Sequence, residues 1–104
     1  MDLKKLRKAI KARQVEWKRH VLERMIERDI SRPRVIKVLE KGAVIEEYAG
    51  DKPFPSALVL GFAGERPLHV VVALDADANT AFIITVYEPK AEIFGPDYRV
   101  RKKR

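Results

Sequence analysis

A chain of 104 residues with 46% hydrophobic content has room for one domain with one modest core, and a single domain over residues 1–104 is expected. The absence of cysteine excludes disulfides, thiolate zinc sites and cysteine nucleophiles together. A formal net charge of +7 points to an anionic partner, nucleic acid first.

Residues 2–13 predict a short amphipathic helix, with Leu3, Leu6 and Ile10 at helical spacing and Lys4, Lys5, Lys8 and Lys11 on the remainder. Val15 and Trp17 alternate with Glu16 and Lys18, which suits a short extended piece. A second helix is expected from Arg19 to Arg28, with Val21, Leu22, Met25 and Ile26 as its buried stripe. The third has a clear start, since Ser31 is a good N-cap, Pro33 fits the first turn and Ile30 can staple to Val35. Its apolar face is Val35, Ile36, Val38 and Leu39, and Gly42 supplies the stop.

After Gly42 the hydrophobic period changes from 3.6 to 2. Strands are expected at 43–48, 57–62, 68–74 and 80–87, rich in Val, Ile, Phe, Thr and Tyr. The links Gly50–Pro55, Gly64–Pro67 and Asp75–Asn79 carry turn residues and are short, which favours a four-stranded antiparallel meander. The expected fold class is therefore α+β, with N-terminal helices on one face of that sheet. Residues 88–104 are a trailing segment that Phe94 and Tyr98 can tack to the body, with mobile last residues.

The charge is divided along the chain. Residues 1–19 carry eight Lys/Arg against two acids, and residues 99–104 carry five basic residues and no acid. Residues 45–98 carry nine acids against three bases. Lys4, Lys8 and Lys11 at one end and Arg101, Lys102 and Lys103 at the other are thus the expected RNA-backbone contacts, and both ends are expected to be removable without touching any chemistry. The first residues alternate Lys and Leu and do not resemble a signal peptide, and no apolar run approaches membrane length, so a cytoplasmic location without membrane contact is expected.

Two constellations could carry chemistry. His20, Arg24 and Arg28 are four apart and share one helix face, with Glu23 and Glu27 beside them. An Arg pair beside a His can hold a phosphate and move a proton, whereas the plainer reading is a solvated face in which Arg24 pairs with Glu27. The second is the mixed sheet face, where His69, Thr85 and Tyr87 could hold a nucleotide, opposite an apolar face of Phe82, Ile84 and Val86. There the plainer reading is a half-buried His69 satisfied by a backbone carbonyl. Asp75, Asp77 and Asn79 imitate a calcium loop, but Thr80 and Val86 stand where Gly and Glu are needed. No metal, cofactor or phosphate-loop motif is expected.

The stretch from His20 to Ser31, together with Val44–Tyr48, Pro53–Gly61, Pro67–Val72 and Ile84–Pro89, resembles in this order the small prokaryotic domain-of-unknown-function family 4258. The resemblance spans about residues 17–98 and leaves the N-terminal helix as an addition. It implies a likeness to RelE-like and MqsR-like toxins of toxin–antitoxin pairs, with an antitoxin protein as partner and any active site on the open sheet face. The positions matching its motifs are His20, Glu23, Arg24, Arg28, His69, Thr85 and Tyr87.

The expectation is a metal-independent endoribonuclease of toxin type, with His69 as base or acid and His20 as its complement. Arg24 and Arg28 hold the phosphate in this scheme, and Tyr87 orients a base or the leaving group. The alternatives are a non-catalytic module that binds nucleic acid or an acidic protein, and a structural partner presenting an edge strand.

Overall fold

The first helix starts where Asp2 offers its carboxylate to the N–H groups of Lys4 and Lys5, at 2.9 and 3.2 Å. The computed structural model describes residues 1–95 and 97–99. Its elements are α1 (Leu3–Lys11), β1 (Val15–Trp17), α2 (Arg19–Glu27), α3 (Arg32–Lys41), β2 (Ala43–Tyr48), β3 (Ser56–Ala63), β4 (Arg66–Asp75), β5 (Thr80–Tyr87) and α4 (Ala91–Phe94). Among the described residues no helix is long and apolar enough to cross a membrane.

The fold is α+β, with strands in the order β1-β5-β4-β3-β2. The four strands after Gly42 form the expected antiparallel meander. The short piece at 15–17 joins the same sheet as a fifth strand, parallel to β5, so the sheet is mixed. The extended piece expected there is thus a strand, and its pairing with the distant β5 is what the local alternation does not carry.

Leu6, Ala9 and Ile10 of α1 are fully buried and share one core with Val21 and Met25 of α2, Val35, Val38 and Leu39 of α3, and the sheet. On the sheet's helix side stand Val59, Leu68, Val70, Val72, Leu74, Ala81, Ile83 and Val86. Ile26, expected in the buried stripe of α2, is 80% exposed. The helix packs through Val21 and Met25, and a nine-residue helix has only one narrow face against the sheet.

Two bulges alter which residues share a face. In β5 the register slips at Ile84, because Val71 pairs Thr85 while Val72 pairs Ile83. Val86, Ile83 and Ala81 therefore face the helices, and Phe82 moves to the other side with Thr85 and Tyr87. There it stacks on Phe54 at 5.5 Å. The expected apolar face of Phe82, Ile84 and Val86 is thus wrong, because strict alternation fails at one extra residue. A second slip lies between Val44 and Glu46 in β2.

Ser31 caps α3 by accepting from the Arg34 N–H at 3.4 Å. Gly42 follows the last turn as expected, but its φ of −75° is open to any residue. What requires glycine is space, since a Cβ there would stand 2.5 Å from the carbonyl oxygens of both Leu60 and Val38. Gly42→Ala is expected to cost at least about 2 kcal/mol, because backbone oxygens cannot step aside. Gly50→Ala, with nothing within 4 Å, should stay within about 0.5 kcal/mol, and urea midpoints of the two variants compare them directly.

Beyond β5 the chain folds back over the non-helical side of the sheet. Pro89 and Phe94 are buried, and the carbonyl of Tyr98 reaches His69. The expected mobility of the last residues falls on positions outside those described.

Candidate functional site

The end of α2 and the start of β4 meet where the chain reverses through Asp29, whose φ is 55°. Arg28 caps the helix and donates from its guanidinium to the Val86 carbonyl at 2.6 Å. Arg66 donates to the carbonyls of Asp29 and Arg28 at 2.8 and 3.0 Å, and pairs with Glu88 at 3.0 Å. It thereby satisfies carbonyls that the end of α2 leaves without helical partners. Tyr87, Pro89, Lys90, Ile93 and Phe94 complete a cleft of about 460 Å³ around these two arginines. Among the described residues its lining holds three cationic side chains against one acid, Glu88, which favours an anion.

Behind the cleft lies His69, 0% exposed. It stands opposite Tyr87 in the β4–β5 register, and its ring is held edge-on by Tyr87 and by Phe94, whose centroid is 4.5 Å away. His69 Nε2 is 2.7 Å from the Tyr98 carbonyl, and Nδ1 is 3.1 Å from the Tyr87 hydroxyl. A carbonyl oxygen can only accept, so Nε2 carries the proton. In the neutral ring Nδ1 is then the acceptor, and the Tyr87 O–H donates to it. The result is a fixed chain of proton-bearing groups running from the cleft wall into the protein.

The expected site residues part company in this fold. His20 is exposed on α2, on the helical side, whereas His69 is buried on the opposite face. The sheet lies between them, so the paired-histidine arrangement fails. Arg24 is 63% exposed and pairs with Glu27 at 3.5 Å, as the plainer reading has it. Only Arg28 of the ladder reaches the cleft, because it sits beyond the last helical residue and turns inward. Glu23 pairs with Arg19 on the solvent side.

Tyr87 lines the cleft, while Thr85 is half-buried opposite Val71 and does not. Lys4, Lys8 and Lys11 are exposed on α1 and line no part of this cleft. Arg101, Lys102 and Lys103 lie outside the described residues. Alternation with Leu68 and Val70 sets His69 on the non-helical face, and the plainer reading of a histidine satisfied by a backbone carbonyl fits its Nε2, though it is fully and not half buried. Its enclosure by Phe94 and Tyr98 depends on the returning segment, which has no strong local pattern.

Arg66 and Lys90 carry no motif that marks them in the sequence. Arg66 sits in a Gly-Glu-Arg-Pro hairpin that reads as turn chemistry, and Lys90 follows a proline in the trailing segment. The available signal was scarcity, since the acidic stretch 45–98 contains just three bases, and two of them line this cleft.

Comparison with curated proteins and with solved structures gives no match. One family model does match, over residues 17–88, from β1 through β5, and leaves α1 and the returning segment outside it. That match covers more than half of the chain, and the chain belongs to the family described as Domain of unknown function (DUF4258).

Proposed function

We propose that the chain is a metal-independent, toxin-type endoribonuclease that holds RNA phosphate in the Arg28–Arg66–Lys90 cleft. The observation that carries this reading is Tyr87, which lines a cationic cleft and hydrogen-bonds through its hydroxyl to the buried His69. In this mechanism the RNA 2′-hydroxyl gives its proton to Tyr87 Oη as Tyr87 passes its own to His69 Nδ1. The 2′-oxygen attacks the adjacent phosphorus, and Arg28, Arg66 and Lys90 offset the charge gathering on the phosphoryl oxygens. The departing 5′-oxygen takes a proton from water. His69 acts through Tyr87 and touches no substrate, so it is a positioning residue and proton store. The likeness to RelE-like and MqsR-like toxins, and an antitoxin partner, belong to the same proposal.

The test is cleavage of labelled RNA in EDTA by the wild type and by Tyr87→Phe, which keeps the ring and removes the hydroxyl. Loss of a proton-transfer group is expected to slow cutting by about 100-fold or more. Equal rates, or a wild type that cuts no RNA, overturn the nuclease.

A second reading, a non-catalytic module that binds nucleic acid, is favoured by the enclosure of His69, both of whose ring nitrogens already have protein partners. It predicts RNA binding without cutting, with an affinity that falls steeply in salt.

A further inference from the structure

A second basic cleft, of about 330 Å³, lies at the other side of the same sheet end. Lys37 and Lys41 of α3 and Arg99 of the returning segment line it, together with Gly42, Ala43, Leu60, Gly61 and Phe62. Among the described residues no acid contributes to its wall, and none of its three cations makes an ion pair. Phe62 is 51% exposed.

The backbone explains the opening. β2 begins to pair with β3 at Ala43↔Leu60, so β3 beyond Leu60 has no neighbour on that side. Gly61 lets α3 close on the strand, since a Cβ there would stand 2.8 Å from a Val38 methyl. Lys37 and Lys41, one helical turn apart, thereby flank the uncovered end of β3.

We infer that this cleft is a subsite for single-stranded RNA, in which a base stacks on Phe62 while Lys37, Lys41 and Arg99 hold the neighbouring phosphates. Each feature alone has a plainer account. Lys41 complements the negative end of α3, and one exposed Phe on a strand is ordinary. An aromatic face among three cations and no acid is the combination that single-stranded nucleic acid uses, because every base has a face to stack and every linkage has a charge.

The position fits a strand already held at the first cleft. Phe62 pairs across β4 with Pro67, and His69, two residues further on, pairs with Tyr87. Phe62 and Tyr87 are therefore two strands across and two residues along from each other, roughly 12 Å between Cα atoms. Both belong to the face of the sheet opposite α3, and Lys37 and Lys41 reach the cleft from the other face, round the end of β3 that β2 leaves uncovered. One strand of RNA can meet both, and the sheet end becomes a track with reaction at Tyr87 and grip at Phe62. The inference rests on the RNA reading above, but not on catalysis.

The probe is a fluorescein-labelled oligouridine, 2′-O-methylated so that it cannot be cut, titrated with the full chain by anisotropy. Phe62→Ala is expected to weaken binding roughly tenfold, the scale of one lost stack, and Phe62→Trp to retain it. Lys37→Ala with Lys41→Ala is expected to reduce the slope of log affinity against log salt by about 1.4, the value for two phosphates of a single strand. Double-stranded RNA of the same length should be indifferent to Phe62→Ala. The cutting rate of bound, unmethylated RNA should also be unchanged in that variant, which separates grip from chemistry. All variants should keep the wild-type urea midpoint, because the substituted side chains lie at the surface.

Oligouridine affinity unchanged in Phe62→Ala, or an equal loss on double-stranded RNA, overturns the subsite. A chain that binds with this pattern yet never cuts overturns the nuclease and leaves the subsite standing. A chain that cuts RNA while Phe62→Ala binds normally does the reverse.

Discussion

A chain lacking residues 1–13 is expected not to fold. Leu6, Ala9 and Ile10 are 0% exposed, and α1 packs on α3 and β5. Burying Leu6 and Ile10 alone stabilises by about 3–6 kcal/mol, at about 1.5–3 kcal/mol each. Removing the helix also bares the core faces beneath it. The sum is comparable with the whole stability of a small domain, about 5–15 kcal/mol. Far-UV circular dichroism and the urea transition of the truncated chain check this, and a cooperative transition near the wild-type midpoint would sink it.

That outcome overturns the expectation that the N-terminal segment is a removable tail. Its charge can still be separated from its packing. Lys4→Ala, Lys8→Ala and Lys11→Ala together alter exposed positions, each within about 0.5 kcal/mol. Any loss of RNA affinity in that triple variant then reports on charge, with the core intact. The family match begins at residue 17, so this helix is a feature of the chain that the family model does not describe.

His69→Ala is expected to lower stability by about 4 kcal/mol. Removing a large, fully buried side chain leaves a cavity whose cost falls at about 3–5 kcal/mol for an aromatic-sized ring. The hydrogen bonds from His69 to the Tyr98 carbonyl and the Tyr87 hydroxyl are lost as well, each about 0.5–1.5 kcal/mol at half-buried residues. Partial collapse of the returning segment offsets some of this, since Phe94 rests directly on the ring. The urea midpoint and slope measure the effect, and a loss under about 1 kcal/mol would contradict the enclosure of His69.

This sets how activity data on this chain must be read. Inactivity of His69→Ala follows equally from a lost proton store and from a loosened fold. Tyr87→Phe is the sharper test, because it keeps the half-buried ring and its packing. Its one structural cost is the hydrogen bond to the buried His69 Nδ1, and the urea midpoint shows whether that loss reaches the fold. An inactive Tyr87→Phe with a wild-type midpoint assigns chemistry to the hydroxyl; an inactive His69→Ala does not.

The legible parts of this protein were those with local causes. Ser31 before Pro33 marked the start of α3, and the change of period after Gly42 marked the helix-to-strand transition. The four meander strands stand within two residues of their expected positions, because alternation over eight or ten residues is a strong signal. Candidate chemistry was less legible. Arg28, His69 and Tyr87 were named from the chain and do lie at one end of the sheet, while His20 and Arg24 were named with them and do not.

The sequence by itself therefore determined the α+β class, the Ser31 cap of α3 and the four meander strands, all of which arise from neighbours a few residues apart. The tertiary structure alone decided the membership of the site. Arg66 meets the backbone of Arg28 across 38 residues, and His69 meets Tyr98 across 29. A single bulge at Ile84 reassigned the faces of β5, since one extra residue inverts every side chain after it. Period and caps are written in consecutive residues, but which cations converge on one cleft depends on how the sheet's end, the end of α2 and the returning segment pack together.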